Sequence, residues 1–252
     1  MENIKAALQQ IEKEKGIKIL YAIESGSRAW GFPSPDSDFD VRFIYMHKKD
    51  WYLGLSDKKD TIESMQGELD ITGWDLKKSL ILLKKSNVAM LEKFQSPIVY
   101  YEEKCFADEM KHLMQHYYSP TAVFYHHYSL AKKFWEDIKE ADSVKLKSYF
   151  YLMRSLLTCN WVVKADTVPP MEIEGLMSLL SEDERFNLRE LIKLKATVNE
   201  KYLHQKDRLM QEFVLELFAF IEPFKSQLGV NDSNYALLDQ FFLKILNENI
   251  DN

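Results

Sequence analysis

Asp38 and Asp40 stand two residues apart at the head of an apolar alternation, and Asp70 lies at the head of another. The side-chain period of a strand is two, so both carboxylates point to one face. Phe39 and Val41 point to the opposite face and anchor the strand. Acids crowded on one face repel each other unless a cation lies between them. With no His or Cys nearby, their hard oxygens suit Mg²⁺ or Mn²⁺ rather than Zn²⁺. Upstream, Gly26, Ser27 and Arg28 close an apolar run. The glycine lets backbone approach an anion, and a helix start after it offers free N–H groups. Ser27 adds a hydroxyl and Arg28 a cationic fork that matches phosphate oxygens. No Gly-Lys-Ser/Thr follows, so this is not a Walker A loop. A phosphate-holding turn, two carboxylates on the neighbouring strand and a third acid beyond outline a two-metal phosphoryl-transfer site. Residue types leave the third acid open between Asp70 and Glu68, which share a face. The plainer alternative is a surface loop, since Gly, Ser, Pro and Asp also make turns. Asp36 is read as a turn aspartate.

The elements that must position these residues alternate in the first part of the chain. "IKAALQQIEKEKG" has helical spacing and a Gly16 stop. "IKILYAI" and "DFDVRFIYM" read as strands, and "GELDITGW" as a third short one. Asp75 is placed to cap "LKKSLILLKKS". "VAMLEKFQ" is a short helix stopped at Ser96-Pro97, and "IVYY" is a fourth strand or an extended connector. From about Phe106 strand signals give way to long helical patterns. "VKLKSYFYLMRSLLTCNWVV" carries one broad apolar stripe, and Pro169-Pro170 precede another helix. The pattern predicts an α+β protein, with a small sheet domain over 1–105 and a helical domain over 106–252.

The 252 residues are 46% hydrophobic and 29% charged, enough for a substantial core in a globular chain. No apolar run approaches the roughly 20 residues that cross a bilayer. The stretch "MENIKAALQQIEKEKG" lacks the apolar segment of a signal peptide, so a cytoplasmic location without membrane contact is expected. A net charge of −6 argues against bulk nucleic-acid binding, so any polyanion contact is local.

Gly26-Ser27, ten intervening residues, then Asp38-Phe39-Asp40 resembles the signature of the polymerase-beta-type nucleotidyltransferase superfamily. The longer strings "ESGSRAWGFPSPDSDFDVRFIY", "LDITGWDLKKSL", "MLEKFQSPIVY" and "PPMEIEGLM" resemble the branch predicted to act in RNA repair, from about Ile17 to about Leu180. The resemblance implies a small mixed β-sheet nucleotidyltransferase domain followed by an all-helical domain. It implies that Asp38, Asp40 and Asp70 hold two Mg²⁺ (or Mn²⁺) ions, with Asp70 preferred to Glu68 on that ground alone. Gly26 and Ser27 match the triphosphate turn, and Arg28 and Arg154 are candidates for further phosphate contacts. The implied reaction moves a nucleoside monophosphate from a nucleoside triphosphate to an acceptor hydroxyl and releases pyrophosphate, with RNA the expected acceptor. A protein or small-molecule acceptor, or nucleotide binding without catalysis, are the alternatives. The family tends to carry a basic residue near "LLTCNW", where this chain has Asn160.

Other chemistry-bearing residues read as structural. Cys105 and Cys159 are expected to be small buried hydrophobes. His112, His116, His126 and His127 lack the glutamate of a zincin motif and are expected to be solvated or helix-terminal. Trp30, Trp74 and Tyr117-Tyr118 are candidates for base stacking or for the core.

Overall fold

A computed structural model describes residues 1–165, 167–206, 208–229, 231 and 234–249. Its first elements are α1 (Glu2–Lys15), β1 (Lys18–Ser25), α2 (Gly26–Trp30), β2 (Phe39–Met46) and α3 (Lys49–Leu53). There follow β3 (Thr61–Gln66), β4 (Leu69–Asp75), α4 (Leu76–Lys84), α5 (Val88–Lys93), β5 (Val99–Glu102) and α6 (Phe106–Tyr117). The rest comprises α7 (Pro120–Ile138), β6 (Ser143–Lys145), α8 (Leu146–Ala165), α9 (Ile173–Met177) and α10 (Glu182–Lys195). It ends with β7 (Leu203–Gln205), α11 (Arg208–Ile221), a 3₁₀ turn (Glu222–Phe224) and α12 (Ala236–Glu248). No described helix is long and apolar enough to cross a membrane.

Packing divides the chain into two compact units built from separated stretches. The first is Met1–Gly26, Asp38–Tyr118 and Asp232–Asn252; the second is Ser27–Ser37 and Ser119–Asn231. The expected border at 105/106 follows residue character, whereas this division follows packing. Helices α6 and α12 therefore belong to the first unit.

The first unit is an α+β layer around a mixed five-stranded sheet of order β3-β4-β2-β1-β5. β2 and β4 are parallel, and the other neighbours are antiparallel. Ile4, Leu8 and Ile11 of α1 cover one face, packing on Ile19, Ala22, Val41, Phe43, Tyr45 and Ile71. Phe39 packs on the same cluster, so Phe39 and Val41 do anchor β2. Gly16 ends α1 in the left-handed conformation, and the Asp75 carboxylate accepts from the Lys77 N–H to cap α4, both as the residues predict.

β3 was not expected. It is an edge strand whose Glu63, Met65 and Gln66 are exposed, so it lacks the apolar alternation that marks a half-buried strand. "GELDITGW" is thus the fourth strand in chain order, after a hairpin turn at Gly67-Glu68.

In the second unit α8 is the central helix. It packs against α7, α9 and α11, so it is buried nearly all round rather than along one stripe. Arg154, Ser155, Thr158 and Asn160 are buried with its apolar residues. Strand structure does not vanish after Phe106 either: β6 and β7 pair as a short antiparallel ribbon beside the helices.

Candidate active site

Asp40 and Asp70 occupy matching places on the parallel strands β2 and β4, where they are direct register partners. Partners across a ladder share a face, so the two carboxylates stand side by side. Two like charges so placed repel, and Arg42 resolves this. Its Nη2 lies 2.9 Å from Asp40 Oδ1 and 2.8 Å from Asp70 Oδ2. Its Nη1 donates to the carbonyls of Val41 at 3.1 Å and Asp70 at 3.0 Å, which anchors the fork. The guanidinium is the resident cation of the pair.

Glu68 sits in the hairpin turn, exposed, and its carbonyl accepts from Phe39 N–H at 2.8 Å. It extends the β2–β4 ladder through its backbone, while Asp70 is the acid aligned with Asp40. Asp38 lies just ahead of β2 and is exposed.

Gly26 makes room for Asp40. It adopts φ +63°, and a Cβ there would fall 2.1 Å from Asp40 Oδ2. Only glycine combines that backbone conformation with that space. Beneath, Glu24 is fully buried on β1. Its Oε1 accepts from Asp40 N–H at 2.9 Å, and its Oε2 from the Tyr100 hydroxyl at 2.5 Å. The backbone that carries Asp40 is therefore held by a buried, hydrogen-bonded carboxylate.

Further along the same face, Lys93 of α5 lies over the Trp74 ring, 3.5 Å from its centroid. Burial, aided by the nearby charge of Arg42, pushes its ammonium down to about 7. Glu24, Arg42 and Lys93 were not singled out from the sequence. Arg42 continues the alternation of Asp38 and Asp40, and that was the one visible signal.

The remaining candidates lie in the second unit. Ser27, the residue after Gly26, is buried and donates to Ser37 Oγ at 3.1 Å. Arg28 donates through Nη2 to the Ser37 carbonyl at 2.6 Å. Arg154 is buried, with Nε donating to the Met171 carbonyl at 3.2 Å and its guanidinium 4.5 Å from the Trp30 ring. Trp30 is thereby a packing residue. Trp74, under Lys93, and the buried Tyr117 pack within the first unit. Asn160 is fully buried, and its amide finds no hydrogen-bond partner among the described residues.

Two expectations about other residues fail. Cys105 is exposed, while Cys159 is buried as expected and its thiol is pushed up by burial. His127 is buried rather than solvated, and burial holds its imidazole well below the usual value. Its neighbour His126 is exposed, on the other side of α7.

Among the described residues no group of three or more His, Cys, Asp or Glu is gathered as a metal site. Arg42 holds the intervening position between the acids. The donor chemistry nevertheless fits a hard divalent cation: two carboxylates side by side, a third acid at the strand's start, and no His or Cys among them.

A sequence model of the family described as "RlaP: RNA repair pathway DNA polymerase beta family" matches residues 1–244. A relative from Bacillus subtilis (strain 168), described as uncharacterized protein YcgL, is 42% identical over 245 residues, covering 96% of this chain and 94% of its own. A solved nucleotidyltransferase-like protein from Exiguobacterium sibiricum 255-15 aligns over 88% of this chain and 75% of its own. Its identity is 12% and its TM-score 0.30, a likeness on which nothing rests. The chain belongs to the RNA repair pathway DNA polymerase beta family, a polymerase-beta-type nucleotidyltransferase family.

Proposed function

We propose that the protein transfers a nucleoside monophosphate from a nucleoside triphosphate to a hydroxyl on RNA and releases pyrophosphate. The observation that carries this reading is the register pairing of Asp40 with Asp70, with Gly26 cradling Asp40, in a chain of this family. Asp38, Asp40 and Asp70 would hold Mg²⁺ or Mn²⁺, which lowers the pKa of an acceptor hydroxyl and neutralises departing pyrophosphate. Ser27 and Arg28 bind the triphosphate, the hydroxyl and the guanidinium both donating to its oxygens. Glu24 fixes the backbone of Asp40, so that carboxylate is aimed before substrate arrives. Arg42 balances the acids in the resting protein and must loosen its hold on them for a divalent cation to enter. Arg154 acts at a distance, holding Trp30 two residues beyond Arg28.

The test is transfer of α-labelled ATP, CTP, GTP and UTP in the presence of total RNA and Mg²⁺ or Mn²⁺. Wild type is expected to label material that ribonuclease destroys. Asp40→Ala, folded by circular dichroism, is expected to lose about 10²–10³-fold or more in rate. A folded and fully active Asp40→Ala protein would overturn the assignment. Label destroyed by protease instead would move the acceptor to a protein.

A further inference from the structure

The loop after α2 ends in a chain of hydrogen bonds that leaves the loop. Ser27 donates to Ser37 Oγ at 3.1 Å, and Ser37 donates to Glu200 Oε1 at 3.2 Å. Ser37 Oγ also accepts from the Ser34 N–H at 3.0 Å. A hydroxyl has one proton and two lone pairs, so Ser37 is saturated in this arrangement. A carboxylate only accepts, so Glu200 fixes the direction of the chain. Ser37 must spend its proton on Glu200, and Ser27 in turn gives its own proton to Ser37.

Glu200 is held firmly for this. Its Oε2 is 2.7 Å from Lys147 Nζ in the first turn of α8. Its backbone N–H donates to the Asp36 carboxylate at 2.9 Å, so Asp36 is more than a turn residue. A second tie runs beside it, where Lys195, almost wholly buried at the end of α10, donates to Ser34 Oγ at 2.8 Å. Ser27, Ser34, Ser37 and Lys195 are all buried. A buried polar network that is satisfied throughout specifies a single arrangement of its members.

Phosphate oxygens are acceptors, so a serine that grips them must turn its one proton to them, here away from Ser37, from a loop that stays in place. We propose that Ser37 and Glu200 are positioning residues for nucleotide binding, which hold the loop that carries Ser27 in place for the triphosphate. This rests on the reading of Ser27 as a phosphate-gripping residue. Nothing near Glu200 in sequence announces the role: it lies in a turn after α10, far from the loop in the chain.

The experiment compares Ser27→Ala, Ser37→Ala, Glu200→Gln and the double variant Ser27→Ala/Glu200→Gln. Binding of each Mg²⁺-nucleoside triphosphate is read by calorimetry, KM and kcat by the labelling assay, and folding by thermal melts. Ser27→Ala is expected to weaken binding about tenfold, the worth of one charge-assisted hydrogen bond. Ser37→Ala and Glu200→Gln are each expected to raise Kd and KM about three- to tenfold with kcat within about twofold. The double variant is expected to bind no worse than Ser27→Ala, because Glu200 acts through Ser27. Normal binding by both Ser37→Ala and Glu200→Gln, beside a weakened Ser27→Ala, would overturn the inference and leave the phosphate grip standing. Additive losses in the double variant, or losses in kcat alone, would also overturn it. Normal binding by Ser27→Ala would overturn the grip itself and the inference with it.

Discussion

Replacing Arg42 by Met keeps an unbranched side chain but removes the cation between Asp40 and Asp70. Two charge-assisted contacts are lost, at 2.9 and 2.8 Å. Buried, each is worth about 1.5–3 kcal/mol. The three side chains are 22–31% exposed, so solvent screening brings each nearer to about 1 kcal/mol. The uncovered acid pair then repels across the ladder, adding roughly 0.2–1 kcal/mol. The sum is a destabilisation of about 2–3 kcal/mol in the absence of divalent ions. At about 2–4 °C per kcal/mol for a chain of this size, the melting transition falls by roughly 4–12 °C. Adding Mg²⁺ or Mn²⁺ should stabilise the variant more than the wild type, because the wild type must first give up a resident cation. The assay is urea and thermal unfolding in EDTA and in a Mg²⁺ series, with Mn²⁺ affinity read by electron paramagnetic resonance. If Arg42→Met melts with wild-type stability in EDTA, Arg42 is not the counter-ion. Weaker Mn²⁺ binding in the variant would show that Arg42 orients the acids for a metal instead of competing with it.

Gly26→Ala places a methyl 2.1 Å from Asp40 Oδ2 at φ +63°. It is expected to cost about 1–3 kcal/mol in denaturant melts and at least about tenfold in transfer rate. Lys93→Met removes an ammonium whose pKa falls from 10.5 to about 7 on folding. The unfolded chain binds more protons between these values, so wild-type stability rises with pH across that window. The variant is expected to be about 1–3 kcal/mol more stable near pH 7 and to lose that rise, as read by melts from pH 6 to pH 10. Ser181→Ala breaks the capping box with Glu184 at the start of α10 and should cost about 1 kcal/mol in urea unfolding of the second unit.

Much of the first unit was legible because its signals are local. Gly16, Asp75 and the alternation through Phe39, Val41, Phe43 and Tyr45 each act within a few residues of where they stand. β3 escaped because this edge strand puts only Ile62 against the core and shows no run of apolar alternation. α8 misled in the opposite sense: neighbours on several sides bury even its polar residues, and no stripe records how many neighbours a helix has. At the site, residue types pointed to Gly26, Asp38 and Asp40 and left Asp70 and Glu68 open, with Asp70 preferred on the resemblance; the register pairing of Asp40 with Asp70 joins strands that sit apart in the chain and lay outside the residue types. Glu24 directly follows the apolar run "IKILYAI", and its partners at Asp40 and Tyr100 are long-range. The ties from Lys195 and Glu200 to the loop at Ser34–Ser37 join distant parts of the chain, beyond any windowed reading.

The first unit also has a history set by the order of synthesis. Its last stretch, Asp232–Asn252, follows the whole of Ser119–Asn231 along the chain. At about 5–20 residues per second, a ribosome takes roughly 6–23 s to make what lies between. During that interval the ring of Phe106 lacks Phe241, and Tyr52 lacks Phe242, the aromatic neighbours that α12 supplies. The nascent sheet therefore waits with an oily flank uncovered while a later-made unit already has all its sequence, and a chain stalled before α12 presents that flank to chaperones and proteases.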